Sequence, residues 1–262
     1  MRLTFIGTGS AFSTIPGNFH SNMLFETADP ETGETRRLLF DCGSDARWAL
    51  RALGLGYSDI DAVYISHLHG DHVGGLEWLG LKSYFMGEGK RIPLFIPEPL
   101  RRPLWENCLK GGMELLDFGL GDLSHLFDVE EVAIEESFTW MGARFHIVPL
   151  VHLRGGAYLM WSYGVFLEAE VGGVLLTSDC RFERDRLDPW YARADLVFHD
   201  CETMDAPSGA HAHFHELATL EPEIRQKIWL YHMNCIERPD AQANGFLGFV
   251  EPGQSFDLGS VR

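Results

Sequence analysis

Cations are scarce in this chain of 262 residues: 21 Lys and Arg stand against 38 Asp and Glu, a formal net charge of −17. Such a surface repels a phosphate backbone unless a metal or a local basic patch reverses the field. Long nucleic acids are therefore not expected as partners. No apolar run approaches the ~18–20 residues that span a bilayer. The opening MRLTFIGTGSAF has no long apolar stretch ahead of a cleavage site. The expectation is a cytoplasmic protein with no membrane partner. Cysteine is sparse as well. Cys42, Cys108, Cys180, Cys201 and Cys235 are odd in number, widely spaced and form no CxxC. They read as reduced thiols and not as a disulfide framework. No internal repeat, low-complexity tract, Ser/Gly linker or shift in composition marks a boundary, so residues 1–262 read as a single domain.

What the chain does have is material for a core. Hydrophobic residues make up 45%, with 18 Phe, 7 Tyr and 7 Trp, a composition far from disorder. The first half reads as short strands joined by turns. RLTFIGTG is a strand entering a Gly-rich turn. NMLFETA and RRLLFDCG form a hairpin around Asp29, Pro30 and Gly33. Ser44 to Leu53 has helical spacing, Asp61 to Ser66 is a buried strand, Gly74 to Phe85 a helix and Ile92 to Pro97 a strand. Arg101 to Phe127 reads as mostly helical. Strands return at 129–134, 144–149, 162–170, 173–177, 196–199 and 228–231, with a helix near 221–227. The fold class is α/β: two sheets packed on each other with helices outside.

The sharpest local signal is Ser66-His67-Leu68-His69-Gly70-Asp71-His72. It follows a buried strand and precedes Val73-Gly74-Gly75. Three imidazoles and a carboxylate in six residues waste burial unless something binds them. His67 and His69 are two apart, so an extended backbone points both the same way. Asp71 and His72 lie beyond a glycine, where the chain can aim at a second point. This spacing suits two adjacent metal ions. Imidazole and carboxylate without thiolate favour Zn²⁺, with Mn²⁺ or Fe²⁺ as alternatives. A solvated His-rich loop is the competing reading. Asp179, His152 and His232 each follow an apolar strand, and strand ends converge on one rim of a layered fold. His146 sits inside a strand pattern and reads as structural. His20 reads as a surface-loop residue, with a place lining the pocket as the alternative.

With these residues in hand, the chain resembles the metallo-β-lactamase superfamily, and within it the ribonuclease Z-like phosphodiesterase branch. Leu3 to Ser10, Leu38 to Gly43, the HxHxDH motif at His67 to His72, His152, Leu175 to Asp179 and Tyr231-His232 match that branch in order. The resemblance implies the αββα sandwich, two mixed β-sheets flanked by helices. It also implies a ligand set: His67, His69 and His152 on one Zn²⁺, Asp71, His72 and His232 on the other, and Asp179 bridging. Asp41 falls where the family braces its ligand loops. Homodimers are common in the branch and are expected here. The apolar stripe from Leu76 to Phe85 lends that only mild support.

A second cluster follows a strand end: His199-Asp200-Cys201-Glu202, then His211, His213 and His215. The resemblance implies a strand-end acid, Asp200, orienting a loop histidine. His213 is the preferred residue, and His211 and His215 stay open. Two metals ~3.5–4 Å apart would clamp a phosphodiester and share a water of pKa roughly 7. Asp71 would align that water, and the histidine would protonate the leaving oxygen. Family members that process transfer-RNA 3′ ends carry a long basic arm between the third histidine and the bridging aspartate. Here Asp179 lies only 27 positions after His152, and the interval is strand-like. The favoured substrate is a small phosphodiester, a cyclic nucleotide above all. Transfer-RNA processing and lactone or thioester hydrolysis are the alternatives. The Gly7-Thr8-Gly9-Ser10 turn is too short a pattern to signal a nucleotide site and reads as a tight turn under the metal rim.

Overall fold

A computed structural model, covering residues 1–87 and 89–259, shows short strands running into turns, largely where the sequence predicts them. In chain order the strands are β1 (Arg2–Phe5), β2 (Met23–Ala28), β3 (Thr35–Phe40), β4 (Ala62–Tyr64), β5 (Ile92–Pro97), the small pair β6 (Leu115–Leu116) and β7 (Gly119–Leu120), and β8 (Phe127–Val132). After them come β9 (Ser137–Trp140), β10 (Ala143–Gly155), β11 (Tyr158–Ala169), β12 (Gly172–Leu176), β13 (Leu196–Asp200), β14 (Ile228–Tyr231), β15 (Gly248–Phe249) and β16 (Ser255–Asp257). Among the described residues, two sheets of seven strands result. Their orders are β16-β1-β2-β3-β4-β5-β8 and β15-β14-β13-β12-β11-β10-β9.

Both sheets are mixed, and the chemistry of the turns explains why. Asp29 accepts backbone N–H bonds from Glu31 and Thr32 and ties down Arg36, which closes the tight antiparallel β2–β3 hairpin. Helical crossovers instead return the chain parallel, as from β3 to β4 and from β12 to β13. The inner faces meet through aromatic rings. Phe5 packs on Phe198 at 5.2 Å between centroids, Phe25 on Phe145 at 5.1 Å, and Tyr64 stacks on Phe138 at 5.2 Å. The Tyr64 hydroxyl donates to the Tyr163 carbonyl across the sandwich at 2.9 Å, so its burial leaves no polar group unpaired.

Helices cover the outside. Helix α1 (Ala46–Ala52), the single turn α2 (Gly70–Val73) and α3 (Leu76–Met86) belong to the first half. α4 (Glu98–Pro103), a π-helical stretch at Leu104–Leu109, α5 (Lys110–Met113) and α6 (Leu123–Leu126) fill the middle, as expected, but the β6–β7 hairpin interrupts them. In the second half α7 (Arg184–Arg193), α8 (Phe214–Leu217) and α9 (Pro222–Arg225) appear. Leu187 and Tyr191 of α7 and Phe214 of α8 join Phe166, Leu175 and Val197 in a second apolar cluster. α7 escapes a sequence reading because Pro189 sits inside it.

Candidate metal centre

Parallel pairing aligns β3 with β4, and β12 with β13 and β14. Their C-terminal ends therefore open on one rim, where open α/β sheets gather ligands. Asp41 follows β3, Ser66 and His67 come just after β4, Asp179 after β12, and His232 after β14, while Asp200 ends β13. Asp41, Ser178 and His232 adopt φ of 61°, 54° and 69°. That left-handed conformation is rare for residues with a Cβ and persists where packing over-determines the backbone.

His152 arrives by another route. The sequence places it just after a strand, but β10 continues to Gly155 and its pairing with β11 slips between Val151 and Leu153. His152 is the extra residue of a β-bulge, a device that takes one side chain out of alternation and re-aims it. The loop from His67 to His72 is pressed against its neighbour by two glycines. A Cβ on Gly43 would stand 2.1 Å from the Asp71 carbonyl oxygen, and one on Gly75 2.3 Å from the Gly43 carbonyl oxygen. Only glycine permits so close an approach of backbones.

The structure brings the seven expected ligands together in two groups that share Asp179. In the first, His69 Nδ1 lies 3.2 Å from His67 Nε2 and 3.0 Å from His152 Nε2. Asp179 Oδ2 is 3.7 Å and 3.8 Å from those two Nε2 atoms. In the second, His72 Nε2 lies 3.2 Å from Asp71 Oδ2 and 3.3 Å from Asp179 Oδ2, and His232 Nε2 lies 3.2 Å from Asp179 Oδ2. All seven are buried except His69, which is half-buried.

Burial holds His67 well below the usual imidazole range, lowers His69 and brings His152 down to about 4. Neutral rings so close would set lone pairs against one another. Burial would raise the Asp179 carboxyl, but the imidazoles of His232 and His72 beside it hold it well below the carboxylate range. Asp179 Oδ1 and His72 Nε2 are shielded from solvent and have no hydrogen-bond partner among the described residues. An unsatisfied buried polar atom costs ~1–3 kcal/mol. A cation in each group removes that cost, and the all-nitrogen-and-oxygen donor set fits Zn²⁺, Mn²⁺ or Fe²⁺.

The supporting contacts fix which ring nitrogen is free. His72 Nδ1 donates to Asp41 Oδ2 at 2.7 Å. Asp41 also accepts from Ser66 N at 2.8 Å and Ser66 Oγ at 2.7 Å, and Ser178 Oγ donates to Ser66 Oγ at 2.8 Å. His152 Nδ1 donates to the Ala210 carbonyl at 2.9 Å. Each contact turns an Nε2 lone pair into the centre, as partners behind metal-binding histidines do.

Beside the centre, His211 Nδ1 donates to Asp200 Oδ2 at 2.9 Å. Asp200 is fully buried and also accepts from Cys180 N at 3.1 Å. Burial opposes charge on His211, but the hydrogen bond to Asp200 and the nearby carboxylates raise its pKa to about 9. This corrects the sequence preference for His213. Both ring nitrogens of His213 are engaged elsewhere: Nε2 donates to the Met204 carbonyl at 2.8 Å, and Nδ1 accepts from His215 N at 3.2 Å. His213 is the N-cap of α8, and His215 is exposed. A cavity of about 580 Å³ opens over the centre, with Asp71, His152, Asp179, His211 and His232 on its wall. His20 also lines it, so the pocket-lining alternative holds for that residue and the surface-loop reading does not.

Two ligand groups sharing an aspartate at the rim of two packed mixed sheets define a metallo-β-lactamase-fold protein. The *Bacillus subtilis* metallo-β-lactamase-fold protein YhfI superposes with a TM-score of 0.70 at 18% identity, over 97% of this chain and 98% of its own. The chain belongs to the family described as "Anti-Pycsar protein Apyc1", whose pattern matches residues 1–256. It is 34% identical to the anti-Pycsar protein Apyc1 of *Paenibacillus harenae*, across 98% of this chain and the whole of that protein. It is likewise 34% identical to that of Bacillus phage 010DV004, across 98% of both chains.

Proposed function

We propose that this protein is a metal-dependent phosphodiesterase that hydrolyses small cyclic phosphodiesters, with a 3′,5′-cyclic nucleotide as the preferred substrate. One observation carries the reading: ligand groups joined by Asp179 share a cavity wall with His211, which the buried Asp200 holds from behind. Divalent cations held by His67, His69, His152 and Asp179, and by Asp71, His72, His232 and Asp179, supply charge neutralisation for a phosphodiester and make an attacking water more acidic.

This chain's own residues do the rest. Asp71 reaches the cavity and accepts a hydrogen bond from the water, which aligns it. Asp200 holds His211 by Nδ1, so the Nε2–H is the edge left to face the substrate. From there it donates a proton to the leaving oxygen. The leaving group of a cyclic diester is a sugar alkoxide, which needs that proton. A thioester expels a thiolate, which leaves without such a donor, and this favours the phosphodiester reading over a thioester hydrolase; the lactone assay separates the remaining alternative.

The span from His152 to Asp179 is occupied by the end of β10, β11 and β12. That leaves no inserted arm for a transfer RNA, and the net charge of −17 opposes one. Relatives of this chain are named for opposing Pycsar, and the same role is proposed here. The reading extends to a cytoplasmic homodimer, tested by light scattering of the metal-loaded protein. For the chemistry, metal-loaded protein is assayed on bis(p-nitrophenyl) phosphate, cyclic nucleotides, a lactone and a thioester. Turnover of the phosphodiesters supports the reading, and turnover of the lactone or thioester alone overturns it.

A further inference from the structure

His20 lines the same cavity and forms a second acid–histidine pair with Asp45 behind it. The pair comes from the first sheet, opposite in origin to Asp200 and His211. His20 precedes β2 and Asp45 precedes α1. The Asp45 carboxylate accepts the His20 backbone N–H at 3.0 Å, and His20 Nδ1 lies 3.2 Å from Asp45 Oδ1. That nitrogen and that oxygen are both shielded from solvent, and neither has a hydrogen-bond partner among the described residues, so this ion-pair approach is the polar contact each has. Two buried acceptors at this separation would repel, so the proton sits on Nδ1. Nε2 is then the ring nitrogen left for the cavity.

The pair is not among the residues that gather into metal-binding groups. Nothing in the hydrolytic step described above uses it, yet the fold holds it in place. Gly9 N donates to the Phe19 carbonyl at 2.8 Å, and Ser21 N donates to the Gly9 carbonyl at 2.9 Å. A Cβ on Gly7 would stand 2.3 Å from the His20 carbonyl oxygen, so the turn after β1 is built to let this segment in.

The same cavity wall carries Phe12, 89% exposed. An aromatic ring left in water forgoes roughly 1.5–3 kcal/mol of burial. The cavity is also larger than a phosphate requires, and its size suits a small organic ligand.

We infer that Phe12 and the His20–Asp45 pair form a subsite for the nucleoside portion of the substrate: Phe12 stacks on the base, and His20 Nε2 accepts a hydrogen bond from an N–H or O–H of that portion. The inference rests on the phosphodiesterase reading and names what selects the substrate within it. Asp45 is a positioning residue, since it acts through His20.

The test compares two phosphodiesters on the metal-loaded protein: 3′,5′-cyclic AMP, and bis(p-nitrophenyl) phosphate, which has no nucleoside. His20→Ala, Asp45→Asn and Phe12→Leu are each expected to raise KM for the cyclic nucleotide about tenfold relative to the base-free ester, with metal content held at the parent level. His20→Gln, which keeps a polar head, should restore part of the loss. Equal losses on both substrates would overturn the subsite and leave the phosphodiesterase intact. Failure of the parent protein on both substrates would instead overturn the phosphodiesterase reading. A variant that loses metal or melts early is replaced by Phe12→Leu, whose side chain lies in solvent, so one arm always reports.

Discussion

Asp200 Oδ2 and His211 Nδ1 are 2.9 Å apart, and of the three alternating histidines it is His211 that lines the cavity beside the ligand groups. His211→Ala should lower turnover of a phosphodiester by about 10²–10⁴-fold, the usual worth of a positioned acid. Metal content, read by elemental analysis, should not change. His213→Ala removes a helix cap instead, at ~1 kcal/mol of stability, and should leave turnover near the parent value. A thermal melt and a rate measurement on both variants settle the assignment, and a reversed pattern would return the role to His213.

Asp41 is expected to act through geometry. It holds His72 by Nδ1 and Ser66 by both N and Oγ. Asp41→Asn keeps the shape but replaces one acceptor oxygen with a donor. Partners of this kind are worth about 10–100-fold in metal affinity. Competition with a chromophoric chelator should show that loss, with the first group of ligands less affected than the second.

Metal removal should weaken the whole fold and not the loops alone. His67, His69, Asp71 and His72 follow strands of one sheet, whereas His152, Asp179 and His232 belong to the other. A cation bound across them favours the docked sandwich by mass action, about 2.7 kcal/mol at a hundredfold excess over Kd. In a chain of this size that shifts Tm by roughly 5–10 °C. Calorimetry of chelated and Zn²⁺-reloaded protein measures it, and elemental analysis should find two ions per chain.

Gly75→Ala places a methyl group where the Gly43 carbonyl oxygen already sits, 2.3 Å away. Overpacking of this kind costs ~1–3 kcal/mol. Because both residues flank the metal loops, melting temperature and metal occupancy should fall together. Gly33→Ala is the comparison: its Cβ meets nothing within 4 Å, so only its φ of 74° is strained and metal occupancy should hold.

The parts of the site that were legible in the sequence are those carried by consecutive residues or by strand ends. His67 to His72 announces itself because one short loop carries four donors. Asp179 and His232 stand out because apolar strands run into them. The register of His211 is hidden for a different reason. Three alternating histidines share one composition, and what separates them is that His213-x-x-Glu216 closes a capping box, with Glu216 accepting the His213 N–H at 3.0 Å. A Ser or Thr there would have marked the helix start. The bulge at His152 leaves no compositional trace, because an extra residue in a strand looks like any other. Pro189 conceals α7, and the two residues of β15 are too few to form a pattern.

The chemistry-bearing groups stand where the backbone has left its ladder: just beyond a strand terminus, on the turn α2, at the slip in β10, or, for His211, in the loop between β13 and α8. The sandwich and the reaction centre are thus separable in design. The segment that carries Phe12 leaves that ring in solvent, whereas the one that carries His211 is tied to the interior through the Ala210 carbonyl, which holds His152, and through buried Ala212. On the proposed reading, selectivity in this scaffold lies in its connecting segments, while the architecture beneath stays fixed.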